Sequence, residues 1–264
     1  QCGWVDPARY SAHMLRHNNI HTIFSTKIEG LHFDCATALW SARHSKGAYS
    51  ASHIVVANSN HAKDFSQLSH LPSKPLRGQV SRIHSASLKP TKTILCGEGY
   101  LCPSSDDWHS FGATFDLDTD SSEATLRDQQ ENIDTLNKWL PNWLDSNEVN
   151  RAIETSNIRN KAGLRCTTPD YIPIVGPAPD YDKMLATFSD LRVGANSCNK
   201  LLGHFLPKLY VNIGHGSKGL YTTPVSAELI KSYICGGPTP VSEEQRVMLS
   251  PARFIIKHLK QRRI

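Results

Sequence analysis

Apolar residues recur at helical spacing in four parts of the chain. The longest pattern runs over Ser121–Leu144, where Leu126, Ile133 and Leu140 repeat every seven positions and predict an amphipathic helix. Pro141 is expected to kink or end it. The other predicted helices are one that begins at Asp6-Pro7 and ends before Asn18-Asn19, one over Val225–Ile234, and one that begins at Ser250-Pro251 and carries Phe254, Ile255 and Leu259.

Short apolar runs between turn residues predict strands. The turns Lys46-Gly47 and Gly97-Glu98-Gly99 are expected to join neighbouring strands. Ile54–Ala57 is apolar on both faces, which is typical of a strand buried on both sides. The predicted strands are Ile20–Phe24, Cys35–Ala42, His53–Ala57, Gln79–His84, Thr93–Cys96, Tyr100–Cys102, Trp108–Phe115, Val149–Ile158, Gly163–Thr168, Ile172–Val175 and Leu209–Ile213.

A proline-containing stretch, Leu71-Pro72-Ser73-Lys74-Pro75-Leu76-Arg77, separates a mixed first part from a β-rich part. Proline favours extended backbone and discourages helix, so a domain boundary is expected there. The β-rich part is most simply built from antiparallel hairpins.

Composition excludes several classes of protein. The 264 residues are 39% hydrophobic and 20% charged, which is enough to bury a sizeable core and argues against disorder. No apolar run reaches the roughly 18 residues that a membrane helix needs. The net charge of +5 permits an anionic partner without requiring one. The seven cysteines are odd in number and lack C-x-x-C spacing, which favours reduced thiols and a cytoplasmic location over a disulfide scaffold or a zinc site.

A glycine-rich turn, Gly214-His215-Gly216-Ser217-Lys218-Gly219, follows a predicted strand and precedes a predicted helix. Glycines let backbone N–H groups approach a ligand, and a helix start favours negative charge. Three interpretations stay open here: a nicotinamide-type fingerprint, a C-terminal turn against a flavin ring, or a turn without a ligand. The first needs an acidic residue on a following strand, and Glu243 and Glu244 lie at the right distance but in no predicted strand.

Three further features have two interpretations each. Arg165 lies in a predicted strand among apolar neighbours and could grip a carboxylate or form a structural ion pair. His13 and His17 have the i, i+4 spacing of metal ligands but no obvious third ligand, so we expect no metal. The basic segment Lys257–Arg263 could contact phosphate or simply end a solvated helix.

Several segments, taken together and in order, resemble a known family. The whole set is similar to the FAD-dependent amine oxidoreductases of the D-amino-acid oxidase and glycine oxidase group. The segments are Gly3-Trp4-Val5-Asp6-Pro7, Leu76-Arg77-Gly78-Gln79-Val80, Gly99-Tyr100-Leu101-Cys102-Pro103, Gly163-Leu164-Arg165-Cys166-Thr167-Thr168-Pro169-Asp170 and the Gly214–Pro224 turn. The Arg165–Gly176 stretch with Pro179-Asp180-Tyr181, and the Leu249–Phe254 stretch, resemble more closely the oxidoreductase half of the bifunctional tRNA 5-methylaminomethyl-2-thiouridine biosynthesis proteins.

The resemblance implies an activity. Enzymes of this kind use FAD to remove the carboxymethyl group from carboxymethylaminomethyl-(2-thio)uridine at the tRNA wobble position, by hydride transfer and hydrolysis of the imine to glyoxylate. A methyltransferase half that uses S-adenosylmethionine then acts, and nothing in the 264 residues resembles it. The implied partners are the tRNA anticodon arm and that methyltransferase half. The alternatives are a free glycine or amino-acid oxidase and a non-catalytic RNA-binding module.

The resemblance also implies residue roles. Arg165 would hold the substrate carboxylate, and Tyr100 would lie on the substrate-side sheet and serve the catalytic site. The residues implied to contact the flavin are Gly214, His215, Gly216, Ser217, Lys218, Gly219 and Leu220.

The implied fold class is α+β, with an α/β flavin-domain remnant and an antiparallel substrate sheet. It corresponds to a D-amino-acid oxidase-like FAD/NAD(P)-binding fold without its first βαβ unit, because no G-x-G-x-x-G unit lies ahead of the first helix. We therefore expect a piece of a longer protein that binds FAD weakly by itself. The expected segments are 1–70 as flavin-domain remnant, 71–207 as substrate domain and 208–264 as flavin-contacting strand, turn, helix and basic tail.

Overall fold

The computed structural model describes residues 3–194 and 203–264, so Cys2 and Cys198 lie outside the described residues. The chain folds into two compact units. The first unit consists of Gln1–Phe24 and Leu76–Leu164, and the second of Ser25–Pro75 and Arg165–Ile264.

Both units combine runs of mainly antiparallel strands with runs of helices, as an α+β class requires. The described helices are α1 Pro7–Met14, α2 Leu126–Trp139, α3 Ser146–Glu154, α4 Tyr181–Thr187, α5 Gly219–Cys235, α6 Glu243–Leu249 and α7 Arg253–Lys260. The described strands are β1 Ile28–Asp34, β2 Leu39–His44, β3 Gly47–Ala51, β4 Ile54–Val56, β5 Lys74–His84, β6 Leu95–Cys96, β7 Tyr100–Leu101, β8 Trp108–Gly112, β9 Ile158–Thr167, β10 Ile174–Pro179 and β11 Phe205–Ile213.

The two units differ from the three expected segments. Their boundary at Pro75–Leu76 lies inside the proline-containing stretch, but residues 1–24 group with the strands that follow it. Residues 165–207 group with the C-terminal part, because β10 pairs with β11 rather than with the sheet of the first unit.

The first unit is built on a five-stranded sheet of order β6-β7-β8-β5-β9. The pairs β6–β7, β7–β8 and β8–β5 are antiparallel, as expected. Helices α2 and α3 cover one face, where their apolar side chains join those of the strands. That core consists of Ile83, Leu88, Leu101, Phe111, Ile133, Leu136, Leu144, Val149 and Ala152.

The longest predicted helix, Ser121–Leu144, is shorter in the structure. Thr125 caps α2 by accepting a hydrogen bond from the Asp128 N–H, and the helix ends at Trp139, before Pro141. Leu126 is 79% exposed, so the seven-residue repeat does not begin on the buried face.

Two predicted strands of the first unit are wrong, and the predicted first helix is shorter than expected. The predicted strand Val149–Ile158 is wrong, because Asp145 caps a helix, α3, over most of that stretch. No strand forms at Ile20–Phe24, which has no neighbouring strand among the described residues. The predicted first helix is confirmed with its Asp6 cap, but it ends at Met14. His17 therefore lies beyond α1, and the two histidines do not share a helix.

The second unit holds two three-stranded sheets. One is the antiparallel meander β1-β2-β3, and the other has the order β10-β11-β4, in which β4 runs parallel to β11. The predicted strand Cys35–Ala42 is confirmed only from Leu39, where β2 begins, because Asp34 accepts hydrogen bonds from Ala36 N–H (2.9 Å) and the Thr37 hydroxyl (2.7 Å) and closes a turn ahead of it. The Lys46-Gly47 turn is confirmed between β2 and β3.

In the second unit, the burial of one strand and the starts of two helices differ from what the sequence predicted. Val55 in β4 is 41% exposed, because the described strands give β4 a single neighbour, so burial on both faces is wrong. The unpredicted helix α6 is closed by a capping box of Ser242 and Gln245. The last helix begins at Arg253 rather than at Ser250-Pro251, and the Ser250 hydroxyl accepts a hydrogen bond from the Ala252 N–H at 3.3 Å just ahead of it.

Candidate active site

The glycine turn joins β11 to α5, as the sequence predicted. Gly214 and Gly216 have φ angles of +80° and +53°, in the left-handed region that favours glycine. The turn closes when Lys218 N–H donates to the His215 carbonyl at 3.0 Å. The chain can therefore reverse from strand to helix within five residues.

The end of β9 packs against this turn. A Cβ built on Gly214 would lie 2.7 Å from Cγ2 of Thr168, and one built on Gly216 would lie 3.6 Å from Cγ2 of Thr167. Both threonines are fixed by their hydroxyls, because Thr167 donates to the Lys74 carbonyl (3.0 Å) and Thr168 to the Ile172 carbonyl (2.9 Å). The close approach of strand and turn thus depends on the absence of a side chain at 214.

Arg165 lies in β9, two residues before Thr167, and is partly buried. Alternate residues of a strand project from the same face, so Arg165 shares its face with Thr167, which reaches Gly216. The role of Arg165 as carboxylate ligand stays a prediction.

Cys166 lies between these two residues and is buried. Burial raises the pKa of its thiol, and the neighbouring Gly214 N–H opposes that rise only in part. The thiol is therefore protonated at neutral pH and packs as a small apolar side chain rather than acting as a nucleophile.

His215 connects the strand before the turn to the helix after it. Its Nε2 lies 2.9 Å from Oδ1 of Asn212, and its Nδ1 lies 2.7 Å from Oγ1 of Thr222. Burial lowers the pKa of His215, so the imidazole is neutral at pH 7. A neutral ring that spans β11 and α5 holds the turn without adding charge to it.

The start of α5 is exposed and positively polarised. Lys218 occupies the N-cap position without a side-chain hydrogen bond, and Leu220 and Tyr221 are exposed. The helix dipole places partial positive charge here, which suits an electron-rich ring edge or a carbonyl oxygen.

Tyr100 lies in β7 of the first unit and pairs with Gly112 of β8. Its neighbour Leu101 is fully buried under the helices, so strand alternation puts Tyr100 on the opposite face of that sheet. Its predicted role at the catalytic site stays a prediction.

Sequence reasoning missed an ion pair, Asp170 with Arg253, that fixes the segment after β9. The guanidinium donates to both carboxylate oxygens, at 2.9 and 3.0 Å, and to the Ile172 carbonyl at 2.7 Å. A cavity of about 410 Å³ lies beside the pair, and none of its lining residues belongs to the glycine turn. The resemblance had drawn attention to both partner segments, but not to their contact.

Within residues 3–194 and 203–264, no group of three or more His, Cys, Asp or Glu side chains could hold a metal ion. None of the helices in residues 3–194 and 203–264 is long and apolar enough to cross a membrane.

The chain matches the family model described as FAD dependent oxidoreductase over residues 1–232. It is 33% identical over its full length to the tRNA 5-methylaminomethyl-2-thiouridine biosynthesis bifunctional protein MnmC of Methylobacillus flagellatus, covering 39% of that protein. It is 32% identical over its full length to the protein of the same name from Chromobacterium violaceum, covering 40% of it. The chain thus spans about two fifths of these curated relatives.

Solved structures share its fold. Glycine oxidase from Geobacillus kaustophilus matches with a TM-score of 0.63 at 16% identity, over 85% of this chain and 51% of that one. L-proline dehydrogenase from P. horikoshii matches with a TM-score of 0.58 at 17% identity, over 87% of this chain and 54% of that one.

Proposed function

Because the chain belongs to the FAD-dependent oxidoreductase family, we propose that it removes the carboxymethyl group from carboxymethylaminomethyl-(2-thio)uridine at the tRNA wobble position. The family makes it an oxidoreductase of CH–NH groups with FAD as its cofactor. The observation that carries the finer proposal is full-length similarity, at 33% and 32% identity, to proteins named for the biosynthesis of the 5-methylaminomethyl-2-thiouridine of tRNA.

The glycine turn fits the ring end of FAD. A Cβ on Gly216 or Gly219 would meet one atom each within 4 Å, so the backbone there leaves room for a flat ring. The start of α5 has no side-chain cap, so N–H groups of its first turn would donate to the ring's carbonyl edge. Bound there, FAD would supply the hydride acceptor for the carbon next to the substrate amine.

We assign Arg165 the role of binding the substrate carboxylate. Its planar guanidinium can donate two parallel hydrogen bonds to the carboxymethyl group and so orient the neighbouring C–H bond. Its position in β9, one residue before Cys166 and two before Thr167, supports a role beside the glycine turn. Orientation by a carboxylate clamp is the contribution that such an oxidation needs from the protein.

The proposed partners are a tRNA anticodon arm and a methyltransferase half in the same polypeptide. The chain's relatives are named as bifunctional, which supports a second activity beside the oxidoreductase. We expect the reaction to take place in the cytoplasm, where tRNA is modified.

The test replaces Arg165 in the full-length flavin-loaded protein. In cells that carry Arg165→Ala or Arg165→Lys as the sole copy, carboxymethylaminomethyl-uridine should accumulate in tRNA, as measured by nucleoside mass spectrometry. Arg127→Ala, an exposed arginine on α2, is the matched control and should leave modification intact.

Two outcomes would favour other functions. Turnover of free glycine by the purified holoenzyme, with normal wobble modification in the Arg165 variants, would indicate an amino-acid oxidase. Unchanged modification together with tRNA binding and no turnover of either substrate would indicate an RNA-binding module.

A further inference from the structure

The five-stranded sheet of the first unit has a second face, opposite α2 and α3. Ile83 of β5 and His109 of β8 are buried on the helix side of the sheet, so their strand neighbours Arg82 and Trp108 project the other way. On β9, the Asn160 side chain makes hydrogen bonds with Ser81 and with Gln129 of α2, so it lies on the helix side of the sheet. Its strand neighbours Arg159 and Lys161 therefore project from the second face. We call this set the arginine–tryptophan patch: Arg82, His84, Trp108, Arg159 and Lys161.

Two guanidinium groups of the patch stack on one indole. The Cζ atoms of Arg82 and Arg159 lie 5.3 Å and 4.6 Å from the Trp108 ring centroid, and the His84 ring meets the same indole edge-on at 5.2 Å. Stacking orients a guanidinium while leaving its in-plane N–H groups available, which lowers the entropy lost when it grips an anion.

The side chains of Arg82 and Arg159 take no part in the hydrogen bonds and ion pairs found among the described residues of the first unit. Among the described residues, neither guanidinium donates a hydrogen bond or forms an ion pair, and both side chains are exposed. Arg77 of the same unit is instead buried against Asp128, and Arg151 pairs with Glu148. Two acidic groups lie nearby: Asp6, whose pKa is lowered in part by the charge of Arg82, and Asp107. The three cationic side chains of the patch therefore outnumber the acidic groups.

We infer that the arginine–tryptophan patch binds RNA, with Arg82 and Arg159 on backbone phosphates and the aromatic side chains beside an unstacked base. Planar cations beside an aromatic ring are the combination that single-stranded RNA loops bind. The inference rests on the proposed function, which requires an anticodon loop. It also agrees with the placement of Arg159 in the same strand, β9, that carries Arg165.

The test measures RNA binding by the full-length flavin-loaded protein. The probe is a synthetic anticodon-arm hairpin with uridine at the wobble position, and its Kd is measured over a range of salt concentrations. The double variant Arg82→Gln, Arg159→Gln should weaken binding about tenfold and reduce the slope of log Kd against log salt by about 1.5, for two phosphates lost.

Lys46→Gln with Lys208→Gln is the matched control, because it removes the same charge from exposed positions of the second unit. It should leave Kd and slope nearly unchanged. Equal losses in the two double variants would mean that only overall charge matters, and would overturn the patch as a site. Unchanged Kd and slope in the arginine variant would overturn it as well.

A conservative variant and a catalytic readout keep the result interpretable. Arg82→Lys with Arg159→Lys retains charge without planar stacking and should show an intermediate Kd, with flavin content and Tm as checks of folding. If it binds like wild type, the stacked geometry has no role and the inference fails. In either case the Arg165 variants still report on carboxymethyl removal, so failure of the patch is distinguishable from failure of the proposed function.

Discussion

Asp170 and Arg253 form a two-pronged ion pair, with Nε to Oδ2 at 2.9 Å and Nη2 to Oδ1 at 3.0 Å. The arginine side chain is 7% exposed and belongs to α7, whereas Asp170 follows β9 by three residues. Since Thr168 packs on Gly214, the pair ties the C-terminal helix to the segment that shapes the glycine turn. The position of that turn therefore depends on a charge pair distant from it in sequence.

Replacing Asp170 should change how stability depends on pH. Burial alone would raise the pKa of Asp170, but the hydrogen bonds and charge of Arg253 outweigh it, and the net pKa is lowered. The unfolded chain therefore binds this proton more readily, so the pair stabilises the fold above about pH 4 and the stability is lost as pH falls through the folded pKa. Asp170→Asn should lower the free energy of unfolding at pH 7 and flatten this acid loss, measured by urea unfolding at a series of pH values.

The matched control is Asp120→Asn, an exposed carboxyl of the first unit. It should keep the wild-type pH profile. Parallel profiles for Asp170→Asn and wild type would show that the ion pair contributes nothing to acid stability.

A second buried pair supports the first unit. Arg77 contacts Asp128 and donates to the Ser121 carbonyl at 3.0 Å and the Glu123 carbonyl at 2.6 Å. Arg77→Met leaves Asp128 buried without its partner and should cost about 3–5 kcal/mol of unfolding free energy.

The double variant Arg77→Met, Asp128→Leu removes both charges and should recover part of that loss in a double-mutant cycle. The two carbonyls would still lack their donor, so full recovery is not expected. Additive losses in the cycle would contradict a direct energetic coupling of Arg77 with Asp128.

Local signals in the sequence predicted the elements that local chemistry determines. Asp6-Pro7 identified the start of α1, and the glycine turn was found between its strand and helix, because caps and positive φ angles depend on adjacent residues. The class of fold was implied by the resemblance to the amine oxidoreductases and is confirmed by the solved structures that match it.

Elements fixed by distant contacts were misjudged. Residues 149–158 look like a strand by composition, yet Asp145 caps a helix there and the core under the sheet selects its buried residues Val149 and Ala152. The Asp170–Arg253 pair joins residues 83 positions apart, and no short-range pattern indicates it. The roles of Arg165, Tyr100 and the glycine turn, and weak FAD binding by the chain alone, stay predictions.

His70 should make the fold sensitive to mild acid. Burial lowers its pKa to about 4, and its ring stacks on Tyr181 at 4.8 Å. The unfolded chain takes up this proton near pH 6.5, so stability is full above that pH and falls as pH drops toward 4, by an upper limit of about 3 kcal/mol. Tm measured between about pH 6.5 and 4 should lose this pH dependence in the His70→Phe variant. If NMR showed that the His70 imidazole titrates near 6.5 in the folded protein, the assignment would be contradicted.

Gly214→Ala tests the close contact on which the site is built. The new Cβ would lie 2.7 Å from Thr168 Cγ2, and the φ of +80° disfavours any side chain. The strain should cost at least about 1–2 kcal/mol of unfolding free energy and shift the turn away from β9. In the full-length protein we expect a lower Tm and a weaker flavin absorbance band per polypeptide.

Gly163→Ala is the control, because a methyl group added there would meet no atom within 4 Å and the φ of Gly163 is not positive. If the Gly214 variant keeps full flavin content and has the same Tm as the Gly163 variant, the turn tolerates a side chain and does not pack closely against the flavin ring.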